Sequence, residues 1–118
     1  MRDIKFRGKT ANGEWVYGSL VYSDNIEPAI YFEVGKGTVK TFDFVYVIPE
    51  TVGQFTGLID KNGNKIFEGD IVRIEDFVNA SVKWREDIAC WTLQGYIIGN
   101  TWGSSMLEVI GNIHDNKE

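Results

Sequence analysis

The stretch Gly53 to Ile74, GQFTGLIDKNGNKIFEGDIVRI, decides the fold of this chain. Asn62-Gly63 predicts a tight hairpin, because both residue types tolerate the positive φ angles that a short reversal demands. Leu58-Ile59 precedes the turn and Ile66-Phe67 follows it, giving two apolar arms that can pair. Glu68-Gly69-Asp70 breaks the chain again, and the Asp70 side chain is expected to hold that corner by accepting nearby backbone N–H groups. Ile71-Val72-Arg73-Ile74 then reads as a β-branched strand. A hairpin feeding through a Gly-Asp corner into a further strand is how small barrels turn their edges. Asn62, Gly63, Gly69 and Asp70 are therefore structural turn residues.

Strand signals continue on both sides. Ile4 and Phe6 alternate with Lys5 and Arg7, which puts these cations on the solvent face of a first strand. Gly8 to Gly13 is a polar loop ending in a second Asn-Gly. Glu14 to Tyr22, Ala29 to Val34 and Thr38 to Ile48 read as strands, Asn25 to Pro28 as a turn, and Pro49 as a stop. Beyond the opening stretch, Val82 and Trp84 alternate with Ser81 and Lys83, and Ala89, Trp91 and Leu93 with Cys90 and Thr92. This alternation places Trp84 and Trp91 in or near the core. Tyr96 to Ile98 and Leu107 to Ile113 are the last strands, with a glycine-rich loop holding Trp102 between them. Thirteen glycines and the scarcity of a 3.6-residue apolar period leave only Thr41 to Tyr46 as a short helical candidate, equally compatible with a strand. The expected architecture is all-β: an N-terminal β meander over residues 1–50 packed on a C-terminal SH3-like barrel or roll over residues 51–118.

Whole-chain properties narrow the function. At 118 residues and 43% hydrophobic content, the chain suits one domain or two very small ones. No apolar run approaches the ~20 residues that span a bilayer. The charged start Met1-Arg2-Asp3-Ile4-Lys5-Phe6 lacks the apolar segment of a secretory signal, so a cytoplasmic location is expected. Cys90 is the single cysteine, which excludes an internal disulfide and a cysteine-based zinc site. A net charge of -5 argues against general nucleic-acid binding, which needs Lys and Arg to displace counterions.

Several motifs occur in a fixed order: Gly53-Gln54-Phe55-Thr56-Gly57-Leu58, Asp60-Lys61-Asn62-Gly63, Phe67-Glu68-Gly69-Asp70-Ile71-Val72 and Glu108-Val109-Ile110-Gly111-Asn112-Ile113. Together with the opening Arg2-Asp3-Ile4-Lys5-Phe6-Arg7, this set resembles the YopX family of small phage and prophage proteins over nearly the full length. The resemblance implies a phage or prophage origin in a bacterial host and a β-rich fold with an SH3-like roll. It implies no biochemical activity. His114-Asp115 departs from the family's usual aromatic-acidic ending, so no role for His114 carries over.

The chemical motifs are weak. Asp60-Lys61-Asn62-Gly63-Asn64 echoes a calcium loop, but the sixth and twelfth positions hold Lys65 and Ile71 where glycine and glutamate are needed. Asp60, Glu68 and Asp70 could gather as an acid–base cluster, although turn-holding accounts for them more simply. Cys90 and His114 are the one thiol–imidazole pair, and His114 sits at a terminus that holds a catalytic group poorly. No catalytic residue, cofactor or metal site is therefore expected. The surplus is aromatic, 14% of the chain. Trp102, Tyr22 and Tyr46 are the candidates for a surface cluster that binds a host or phage protein, or a second copy of this chain. The competing readings are single-strand nucleic-acid stacking beside the basic first strand, and a small hydrolase using Asp60, Glu68 and Asp70.

Overall fold

The computed structural model describes residues 3–75, 78–93, 96–97 and 106–115, and the chain divides into two compact units, Met1–Gln54 and Phe55–Glu118. Both are antiparallel β.

The first unit contains β1 (Phe6–Lys9), β2 (Trp15–Ser23), β3 (Ile26–Lys36), β4 (Val39–Tyr46), a 3₁₀ turn (Pro49–Thr51) and the start of β5 (Gly53–Ile59). The strands lie in the order β4-β3-β2-β1, and Arg7 on the far side of β1 pairs with Gly53. Gly13, with φ of 84°, closes the first hairpin as its N–H donates to the Thr10 carbonyl. The longest pairing is β3 on β4, from Ala29↔Tyr46 to Lys36↔Val39. Among the described residues, Ala29, Ile30 and Val47 are the apolar ones buried in this unit, so its core is thin for the surface it carries. Thr51 reinforces it: the hydroxyl accepts the Lys9 N–H at 2.8 Å and donates to the Ile48 carbonyl at 2.6 Å.

Two expectations fail here. Pro28 lies within β3, where the β2–β3 register shifts between Val21 and Ser23. An imide nitrogen costs no ladder bond at such an irregularity, and the Pro28 carbonyl accepts the Val47 N–H. Nor do the first strand's cations form a solvent face, since Arg7 is 5% exposed and Ile4 is 59% exposed. The register Arg7↔Tyr17 and Lys9↔Trp15 brings Arg7 onto the Trp15 face, with the guanidinium 4.5 Å from the ring centroid. A planar, weakly hydrated cation stacks on indole at low desolvation cost, so sequence alternation alone misplaces it.

The second unit contains the rest of β5, then β6 (Lys65–Phe67), β7 (Asp70–Ile74), β8 (Val78–Arg85), β9 (Cys90–Leu93), β10 (Tyr96–Ile97) and β11 (Leu107–Asn112). β5 and β6 form the Asn62-Gly63 hairpin, with Ile59↔Lys65 and Gly63 at φ 87°. The remaining strands form one sheet in the order β10-β9-β8-β7-β11. Its core is Ile66, Val72, Ile74, Ala80, Val82, Leu93 and Leu107, every second residue of β7 and β8 pointing inward.

Among the described residues this sheet is open and no closed barrel forms. The outer edge of β11 meets the turn after β5: the Lys61 N–H donates to the Leu107 carbonyl and the Val109 N–H to the Asp60 carboxylate. Trp84 is a second departure, being 42% exposed. The face of β8 and β9 that buries Val82 and Leu93 runs past the end of the core. There Trp84 pairs with half-buried Trp91, edge to face at 5.0 Å. No helix among the described residues is long and apolar enough to cross a membrane.

Candidate functional site

The carboxylates are engaged in holding turns. Asp60 is buried; its Oδ1 accepts the N–H groups of Asn62 at 2.9 Å and Asn64 at 2.8 Å, and its Oδ2 that of Val109 at 2.9 Å. Burial pushes this carboxyl up, but the Val109, Asn64 and Asn62 N–H groups and the Asn64 amide outweigh it and hold it below its ordinary value. Asp70 is also buried, and its Oδ2 accepts the Phe67 N–H at 2.7 Å. Gly69, at φ 90°, makes the corner, its N–H donating to the Val82 carbonyl while its own carbonyl accepts the Ile113 N–H. Asp70→Ala should lower the stability of this unit by about 2 kcal/mol by stranding a buried donor. Asp70→Asn, which keeps an acceptor oxygen, should restore part of the loss in urea unfolding.

Among the described residues no group of three or more His, Cys, Asp or Glu could hold a metal ion. Cys90 on β9 and His114 beyond β11 stand on strands separated by β8 and β7. The Cys90 thiol donates to the Ile88 carbonyl. The His114 ring lies against Gly69, and its backbone N–H donates to Asn112 Oδ1.

The aromatic candidates divide. Alternation along β4 puts Phe42, Phe44 and Tyr46 on one face of the first unit's sheet, opposite Glu33, Tyr31 and Ala29 of β3. Tyr31 stacks on Phe44 with centroids 5.0 Å apart, and Phe44 meets Tyr46 edge-on at 5.6 Å. This ladder is open to solvent: Phe42 is 72% and Tyr46 54% exposed. It lies on an edge strand, since β4 ends the sheet order. Tyr22 is on the other face, with Leu20, in the wall of a mostly apolar groove of about 450 Å³ completed by Ser23, Ile26, Pro28, Pro49 and Val52. The structure therefore separates Tyr22 from Tyr46, and Trp102 lies outside the described residues.

A family model described as YopX protein matches residues 5–118. The chain belongs to the YopX family. The fold of this YopX chain is similar to the crystal structure of protein EF1440 from Enterococcus faecalis. That likeness has a TM-score of 0.65 and 22% identity, over 98% of this chain and 96% of the other. No functionally curated protein matches the sequence. Neither finding gives a sign of catalytic activity. Sequence reasoning missed Phe42 and Phe44, the centre of the ladder in this YopX chain. Their signal was present in Val39–Tyr46, where both strand faces carry large apolar residues and neither is a clear solvent face.

Proposed function

We propose that this YopX chain is a non-catalytic protein-binding module that acts through the β3–β4 hairpin, and that its first partner is a second copy of itself. The observation that carries this reading is the exposed Tyr31–Phe44–Tyr46 ladder beside Phe42 on a strand that ends its sheet among the described residues. An edge strand offers free backbone donors and acceptors, and flanking aromatics supply the apolar area that a symmetric contact needs. An antiparallel pairing of two β4 strands centred on Phe42 keeps both ladders on one face. It sets Phe42 against Phe42, Lys40 against Phe44, and Val39 against Val45. The family resemblance supports a phage or prophage accessory role in the host cytoplasm, with the second unit as a variant of an SH3-like roll.

The rival readings have less support. Arg7 and Lys9 both lie over Trp15, and the net charge is -5, which disfavours a phosphate-binding strand. Asp60 and Asp70 bond backbone N–H groups of turns. Light scattering at tens of micromolar should find a dimer, and Phe42→Lys should make it monomeric by placing like charges across the axis. A monomeric wild-type protein would remove the self-assembly reading.

A further inference from the structure

We infer that the groove on the opposite face from the ladder takes a basic peptide segment anchored by one large apolar side chain. The inference goes beyond the self-assembly reading and uses different residues. The groove walls are mostly apolar, formed by Leu20, Tyr22, Ile26, Pro28, Pro49 and Val52, with Ser23 as their one polar residue. Its volume of about 450 Å³ lies within the roughly 300–1,000 Å³ span of ligand pockets. Yet two of its walls face solvent, with Tyr22 66% and Ile26 57% exposed, so it would leave much of a small molecule wet. An open trough of this kind suits a side chain delivered on a segment that continues past both ends. Pro28 and Pro49 bring no N–H to its wall, so the occupant docks by side-chain packing and not as an added strand.

Charge selects the flanking residues. Asp24 in the β2–β3 turn and Glu50 in the 3₁₀ turn are exposed next to the lining residues, while Glu27, between Ile26 and Pro28 on β3, alternates to the other face. No Lys or Arg occurs between Gly18 and Ile30, or between Val47 and Gln54. The only charges that these two segments contribute are therefore negative. An apolar floor beside a one-signed acidic rim favours an apolar anchor flanked by Lys or Arg and rejects the same anchor flanked by acids.

Fluorescence anisotropy with three labelled peptides tests this. The first carries a central tryptophan between paired lysines, the second replaces the lysines with glutamates, and the third replaces the tryptophan with alanine. The first should saturate, and the other two should bind at least about tenfold more weakly. The combined variant Asp24→Asn and Glu50→Gln changes only exposed side chains. It should weaken the first peptide about tenfold and flatten its salt dependence, with the circular dichroism spectrum unchanged. Ile26→Glu should abolish binding, whereas Phe42→Lys should leave it intact whether or not the protein dimerises. Equal binding of the lysine and glutamate peptides, indifference to the rim variant, or no saturation by the first peptide up to about 1 mM would overturn the inference.

Discussion

Asp60→Ala should cost the second unit about 3 kcal/mol, read as a lower urea midpoint by tryptophan fluorescence, which Trp84 and Trp91 report from that unit. One carboxylate accepts three backbone N–H groups, and the most distant, from Val109, comes from a strand 49 residues downstream. Alanine leaves all three without their acceptor. The Asn62 and Asn64 N–H groups can turn to water, because those residues are exposed, while that of half-buried Val109 gains less from it. Hydrogen bonds to an ionised group contribute about 1.5–3 kcal/mol each, so the Val109 bond and the residue of the other two set the figure.

The same residue predicts an acid dependence. Its folded-state pKa is depressed, so its contribution is fully present above the ordinary carboxylate value of about 3.9. That contribution is lost as pH falls through the lower folded-state value. Asp60→Asn should be less stable than wild type near neutrality, and the gap should close as the pH drops below about 4. A constant gap across that range would mean that the carboxylate's charge contributes nothing.

Gly18→Val should unfold the first unit or leave it marginal, a loss of more than about 3 kcal/mol from a unit with a thin core. Gly18 pairs with Phe6 on one side, and a Cβ built there would overlap the Tyr31 carbonyl oxygen on the other. The obstacle is backbone, which cannot swing aside as a side chain tip does, so β2 and β3 would have to part. Gly13→Ala provides the contrast. Nothing lies within 4 Å of its Cβ position, and the penalty is the positive φ alone, about 1 kcal/mol. Circular dichroism melts that ranked the two substitutions equally would contradict the close approach.

Local signals in the sequence carried the β class well. Asn62-Gly63 and Gly69-Asp70 announce reversals because few other residue pairs accept their backbone angles, and both reversals occur. The run Thr38 to Ile48 contains β4, with its end at Tyr46 just before the prolyl turn. What local reading could not supply is the partner of each strand. β11 joins β7 and not the strand before it, and only that placement brings Val109 to Asp60 and opens the sheet at β11. Arg7 was misread because alternation treats every cation as solvent-facing, whereas a guanidinium over an indole behaves as a packed group. The site suffered similarly: Tyr22 and Tyr46 are both exposed, but register sets them on opposite faces, and the residues between them, Phe42 and Phe44, carry the ladder.

The bond from Val109 to Asp60 also sets a timetable for synthesis. Residues 1–54 contain all the partners of the first unit's strands, so that unit can form while the ribosome is still translating. The second unit must wait with the Asp60 carboxylate half-served and the flank of β7 bare until β11 emerges. Nascent chains stalled before Leu107 should therefore carry a protease-resistant amino-terminal half tethered to a digestible remainder.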